Sequence, residues 1–132
     1  MDAELRQVVI GRALGSGQIE PATIGGFRRV LVAGRNYPML LPHPTGRVEG
    51  MLAHGLEEDE VRRLVLFEGG EYRLRPVAVT DLRGQRIDAA AFLADRERAD
   101  RRAWTLERWQ RRHKRAFVRQ AEAFMRRGLK WL

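Results

Sequence analysis

All of the excess positive charge in this chain lies beyond residue 94. Residues 1–94 carry 12 Lys and Arg against 12 Asp and Glu, and residues 95–132 carry 13 against 5, which accounts for the whole net charge of +8. The balanced part can collapse around a core without repelling itself. The basic part must either lie on that core as an amphipathic element or engage an anionic partner. The expected organisation is one domain over 1–132, with a body at 1–94 and a basic helical segment at 95–132. At 132 residues, 44% of them hydrophobic, the chain has room for a single core. No repeat, low-complexity tract or linker divides it.

The basic segment reads as a long helix from about Trp104 to Arg127. Trp109, His113, Phe117 with Ala116, Gln120 and Phe124 recur at the three- and four-residue steps of one helix face. Arg108, Arg111, Arg112, Lys114, Arg115, Arg119, Arg126 and Arg127 occupy the others. One reading is a basic face for RNA, DNA or an anionic membrane surface. The other is a helix docked on the body, with Trp109, Phe117 and Phe124 buried and arginine stems shielding apolar surface. The packing reading is preferred, because the aromatic residues share the inner stripe and no nucleic-acid fold signature accompanies them.

In the body, strand character recurs at Phe27–Ala33, Val48–Ala53, Tyr72–Val79 and Arg86–Leu93. Gly25-Gly26 and Gly34 bound the first of these, a loop at Pro42–Gly46 precedes the second, and Arg83-Gly84-Gln85 turns the third into the fourth. Pro76 has no N–H for a ladder, which predicts an edge or a bulge there. A helix is expected from Glu57 to Glu68, with four acidic residues in its first turn, a stripe of Val61, Leu64 and Val65, and a stop at Gly69-Gly70. A second short helix is expected at Ala3–Ile10. The fold class is α+β, with a closed or strongly curved sheet.

The absence of cysteine excludes disulfide scaffolds, thiolate metal sites and a cysteine nucleophile. No apolar run is long enough for a membrane span. The opening Met1-Asp2-Ala3-Glu4-Leu5-Arg6 lacks the order of a signal peptide, so a cytoplasmic location without membrane attachment is expected. His43, His54 and His113 show no ligand spacing, so no metal site is expected. Ser16 lies in a glycine loop without a nucleophile elbow, and Gly11–Gly17 lacks the ending of a phosphate loop.

Glu68 breaks the local rule. It sits at the negative pole of its helix, where a carboxylate is disfavoured by about 0.3–1 kcal/mol and its pKa rises. A raised pKa suits a group that takes up and returns a proton near neutral pH, and violated rules tend to mark function; the alternative is a solvated glutamate at a helix end. Glu71, nearby, is expected to be replaceable.

The ordered motifs Gly25-Gly26-Phe27-Arg28-Arg29, Tyr37-Pro38-Met39, Val48-Glu49-Gly50, Phe67-Glu68-Gly69 with Tyr72, and Val77-Ala78-Val79 together resemble the γ-glutamylcyclotransferase-like superfamily. The likeness is greater to its bacterial and plant avirulence-induced-gene (AIG2-like) branch and covers about Ile10 to Phe92. Trp104–Trp109 and His113-Lys114 also look like the tail of bacterial members. The resemblance implies a small six-stranded mixed β-barrel flanked by helices, with Glu68 as the catalytic acid/base residue. Tyr37, extended because it precedes Pro38, either lines the pocket in contact with substrate or packs at a strand end, and Tyr72, four residues after Glu68, either bonds Glu68 or the substrate or is a half-buried strand tyrosine.

The implied reaction is intramolecular aminolysis of a γ-glutamyl amide, of acyltransferase or lyase type, releasing 5-oxoproline and a free amine without metal or organic cofactor. The implied partner is thus a small γ-glutamyl molecule: glutathione, a γ-glutamyl amino acid or a γ-glutamyl-lysine derivative. The alternatives are a catalytically inactive ligand-binding relative and a nucleic-acid binder acting through the basic helix. The family's opening Tyr-Gly-Ser-Leu or Tyr-Gly-Thr-Leu strand does not occur in this sequence. Met1-Asp2 falls where relatives have just passed that motif, so the expectation is either an internal start or a form lacking the first strand and its pocket loop.

Overall fold

The computed structural model describes residues 1–128. Helix α1 spans Ala3–Ile10, as the sequence predicts. It starts because the Asp2 carboxylate accepts hydrogen bonds from the Glu4 and Leu5 N–H groups at 3.0 and 3.2 Å, and it stops at Gly11 in the left-handed region (φ 94°). The Arg63 guanidinium caps its end by donating to the Val9 and Val8 carbonyls at 2.7 and 3.2 Å. A Cβ on Gly11 would lie 2.8 Å from Arg63 Cζ, so both the backbone angle and this cap select glycine.

Strands β1 (Ile19–Val32) and β2 (Pro38–Ala53) form a long antiparallel hairpin. The sequence predicts strand only at Phe27–Ala33 and Val48–Ala53; both elements start earlier. Gly25-Gly26 does not bound β1 but lies within it. Gly26 has φ 84°, and the register jumps from Gly25 opposite Arg47 to Phe27 opposite Pro42. The loop expected at Pro42–Gly46 survives as the bulge this jump creates. Gly46 is required there, since a Cβ would stand 2.2 Å from the Phe27 carbonyl oxygen.

Helix α2 (Glu58–Glu68) follows, its start held by the Glu60 carboxylate, which accepts from the Glu57 N–H at 2.9 Å. Strands β3 (Tyr72–Asp81) and β4 (Arg86–Ala94) form a second hairpin, its turn tied by Asp81 to the N–H groups of Arg83 and Gln85. The ladder between the two hairpins is confined to Ala22–Thr23 of β1 against Thr80–Asp81 of β3. Pro76 is paired with Ala90 on one side, and the ladder to β1 on the other side has ended before it, as an edge proline requires. After a single 3-10 turn at Arg96–Arg98, β5 (Ala99–Ala103) adds to the far side of β1, a strand absent from the sequence-based assignment.

The fold is α+β, with five antiparallel strands among the described residues, in the order β2-β1-β3-β4 and β5 on β1. It corrects the expectation of a closed, mixed, six-stranded barrel: the sheet curls but does not close, and every ladder is antiparallel. The four-strand path ends at β2 and β4, and β5, paired with β1 alone, is a further edge. Pro38, Pro42 and Pro44 deprive β2 of three ladder donors, which suits an edge strand.

The basic segment is two helices, α3 (Leu106–Arg112) and α4 (Lys114–Gly128), broken at His113, whose φ of −125° leaves the helical region. The break changes the phase of the buried stripe. Trp109 is 4% exposed, but α4 buries Val118, Ala121 and Met125, while Gln120 and Phe124 face outward, Phe124 at 40%. The aromatic stripe predicted through Phe124 is therefore corrected; Phe117 stays half-buried at its margin. Likewise α2 turns Leu64 and Phe67 toward the core and leaves Val65 49% exposed. Leu5, Val9, Trp109, Val118 and Ala121 form the core between helices, and Val30, Val32, Met39 and Leu41 form a second under the sheet. Among the described residues no helix is long and apolar enough to cross a membrane.

Candidate active site

Glu68 is the last residue of α2, and Gly69 (φ 73°) turns the chain into β3. This turn directs Glu68 and Tyr72 into a cleft made of two adjoining cavities. The smaller, ≈ 280 Å³, lies in the curl of the sheet against Val77, Val79, Ala89 and Phe92. The larger, ≈ 1180 Å³, extends under α3 and is walled by Tyr37, Phe67, Trp104, Trp109 and Phe117. Glu68, Tyr72 and Arg29 line both, so they stand at the junction. An apolar and aromatic cleft of this size with a few polar groups at one point suits a small molecule.

Among the described residues, the Glu68 carboxylate has no hydrogen-bond or ion-pair partner. Burial pushes its pKa up to about 7, weakly opposed by the Met1 ammonium. The direction matches the helix-end argument, with desolvation by burial as its leading cause. The Met1 ammonium itself is held below its ordinary pKa by burial and by Arg29 and Arg6, against the pull of Glu68.

The other two residues expected in the pocket are present and oriented. Tyr72 donates its hydroxyl hydrogen to the Pro38 carbonyl at 2.8 Å, not to Glu68, and burial with Glu68 nearby raises its pKa. Tyr37 donates to Glu71 at 3.1 Å, and its ring meets Phe117 edge-on at 6.2 Å. Burial, and then Glu71, raises the Tyr37 pKa. Glu71 also lies 3.4 Å from Arg98. The two glutamates therefore diverge: Glu68 faces the cleft, while Glu71 fastens Tyr37 from behind.

None of the histidines lines the cleft, and His54 is engaged by Glu20 at 2.9 Å. Arg29 and Trp104 are site residues that the sequence reading did not single out. The guanidinium of Arg29 lies over the Trp104 ring, 5.4 Å from its centroid, and donates to the Glu49 carbonyl at 2.8 Å. The indole is fixed in turn by donating to the Asn36 carbonyl at 3.1 Å. A signal for Arg29 did exist: in a strand, the successive arginines Arg28 and Arg29 must point to opposite faces.

The family model described as gamma-glutamyl cyclotransferase, AIG2-like, matches residues 2–111. AIG2-like protein B of Arabidopsis thaliana is 30% identical over 110 residues, 81% of this chain and 62% of that protein. AIG2-like protein A of the same plant is 30% identical over 122 residues, 89% of this chain and 71% of that protein. The chain thus spans less than two thirds of the first relative's length. The solution structure of At5g39720.1 from Arabidopsis thaliana matches with a TM-score of 0.63 and 28% identity, covering 95% of this chain and 84% of that one.

Proposed function

This chain belongs to the gamma-glutamyl cyclotransferase, AIG2-like family, and on that premise we propose that it converts a γ-glutamyl amide into 5-oxoproline and a free amine, with Glu68 as the single acid/base residue. The observation that carries the reading is a carboxylate without partners, turned into a cleft and titrating at about 7. At neutral pH such a group is divided between its two protonation states, as a residue that must both accept and return a proton should be.

The chemistry balances on one carboxylate. Glu68 takes a proton from the substrate's α-ammonium, and the freed nitrogen lone pair attacks the γ-carbonyl carbon. The bond from that carbon to the amide nitrogen breaks as Glu68 returns the proton to the leaving amine; the ring nitrogen then gives up its second proton, which the same carboxylate passes to the released amine, so that a neutral lactam N–H and an ammonium result. Because attack is intramolecular, the protein's main task is to fold the substrate so that nitrogen and carbonyl meet. The aromatic walls at Tyr37, Tyr72 and Phe67 would exclude water from that folded form, and Glu71 and the Pro38 carbonyl hold the two tyrosines in place.

The test is release of 5-oxoproline from glutathione, γ-glutamyl amino acids and γ-glutamyl-lysine derivatives. Glu68→Gln should keep the fold, by circular dichroism, and lose at least ~100-fold in turnover, the lower range of general acid–base catalysis. An active wild type whose Glu68→Gln variant keeps near-normal turnover removes Glu68 from the reaction. A wild type silent on the whole panel leaves a binding protein instead.

A further inference from the structure

Arg29 is a half-buried cation that lacks a counterion. Among the described residues no carboxylate lies within 4.0 Å of its guanidinium. It makes one hydrogen bond, to the neutral Glu49 carbonyl, and its remaining N–H groups are not used by any side chain described. Burial lowers its pKa, with Glu107 offsetting the effect only from a distance. Withdrawing a charge from water without a partner is unfavourable, and such a group in a cleft marks a place for an ion of opposite sign. Its position is not loose. The Trp104 ring below it, itself tied to Asn36, and the bond to the Glu49 carbonyl hold the guanidinium at the cleft wall, where its other N–H groups can meet a carboxylate.

Arg29 and Glu68 line both cavities, so they border one space. That space therefore offers both an acidic and a basic group. We propose that Arg29 is the carboxylate-binding residue of the cleft, and that the ligand presents an α-amino acid head, its nitrogen toward Glu68 and its carboxylate on Arg29. This rests on the cyclotransferase reading for the identity of the head group. It assigns Arg29 the orienting contact: a carboxylate held there turns the neighbouring amine toward Glu68.

The test compares ligands that differ only in this charge. Binding of 5-oxoproline and of its carboxamide is measured by calorimetry, and turnover of a γ-glutamyl amide and its α-carboxamide counterpart in parallel. Charge-assisted hydrogen bonds are worth about 1.5–3 kcal/mol, so the wild type should favour the acid by ~10–100-fold. Arg29→Met should bind both equally and weakly, and Arg29→Lys should recover part of the preference. Arg47→Gln, which removes the exposed arginine on the same cleft, should retain it.

Equal wild-type affinity for acid and amide, no binding of either, or an Arg29→Met variant that keeps the preference would each overturn the assignment. Should Arg29→Met not fold, Arg29→Gln with an undiminished preference does the same. The two readings fail separately. A wild type that discriminates through Arg29 yet releases no 5-oxoproline refutes the cyclisation alone. An active enzyme whose KM and acid preference ignore Arg29 refutes the carboxylate site alone.

Discussion

Replacing Glu68 with glutamine isolates the energetic consequence of placing an ionisable carboxyl on the cleft wall. The group titrates at 4.5 when unperturbed and at about 7 in the folded protein. Below the lower value the carboxyl is protonated in both states, and its ionisation leaves stability unchanged. As the pH rises, the unfolded chain releases its proton first while the folded protein holds it, so stability falls through this window and levels off above about 7. At ~1.36 kcal/mol for each pKa unit, the gap amounts to ~3 kcal/mol, an upper value because the carboxyl keeps some contact with water in the open cleft. Glutamine has the same shape and does not titrate. Wild type and Glu68→Gln should therefore differ little at pH 4, and by pH 8 the variant should be the more stable by ~2–3 kcal/mol.

Urea unfolding followed by tryptophan fluorescence, at intervals of pH from 4 to 8, measures both proteins. Subtracting one from the other cancels every titration they share. A difference that stays flat across this range would refute the burial argument. A variant less stable than wild type at pH 8 would show instead that the folded protein stabilises the charged carboxylate.

Further outcomes follow from the packing and the helix ends. Trp109→Ala should destabilise the protein by ~3–5 kcal/mol, whereas Phe124→Ala, at an exposed site, should change it by less than ~0.5 kcal/mol; comparable losses at both would contradict the altered phase of α4. Asp2→Ala should cost ~0.5–2 kcal/mol as the α1 cap is lost. Burial raises the Asp2 pKa, but bonds from Gln110, Lys114 and the Leu5 N–H outweigh it, so the native value is lowered. The stability Asp2 confers should hold at neutral pH and disappear as acid protonates it, which a pH titration of the wild-type minus variant difference measures. Arg111→Ala with Arg115→Ala should leave stability nearly unchanged, and RNA should bind only at low salt; micromolar binding at physiological salt, lost in the double variant, would restore the nucleic-acid reading of the basic helices.

The elements that sequence determined by itself are those whose signals are local. Asp2 and Gly11 delimit α1 through hydrogen bonds within a few residues, and Glu57 to Gly69 do the same for α2. Asp81 and Gly84 specify the turn between β3 and β4 from side chain and φ angle alone. Glu68 was legible because it violates a local rule, and Tyr37 and Tyr72 because they stand in the motifs that resemble the family. The length of β1 and β2 was not legible. Gly25-Gly26 and the prolines of β2 punctuate a sequence, and only a ladder partner decides whether such punctuation ends a strand or bends it.

Tertiary structure alone decided the rest. The phase of α4 depends on the break at His113, where the chain leaves the helix to reach α1 and α2. Strand β5, charged and short, owes its conformation to the free side of β1 rather than to its own residues. The open sheet follows from two hairpins that share a ladder over only two residue pairs. Above all, the pKa of Glu68 and the isolation of Arg29 arise from desolvation, which depends on what residues far apart in the chain remove from water together. A sequence can nominate a carboxylate and an arginine. The cleft that gives each its chemistry exists only once α2, β1 and α3 have closed around them.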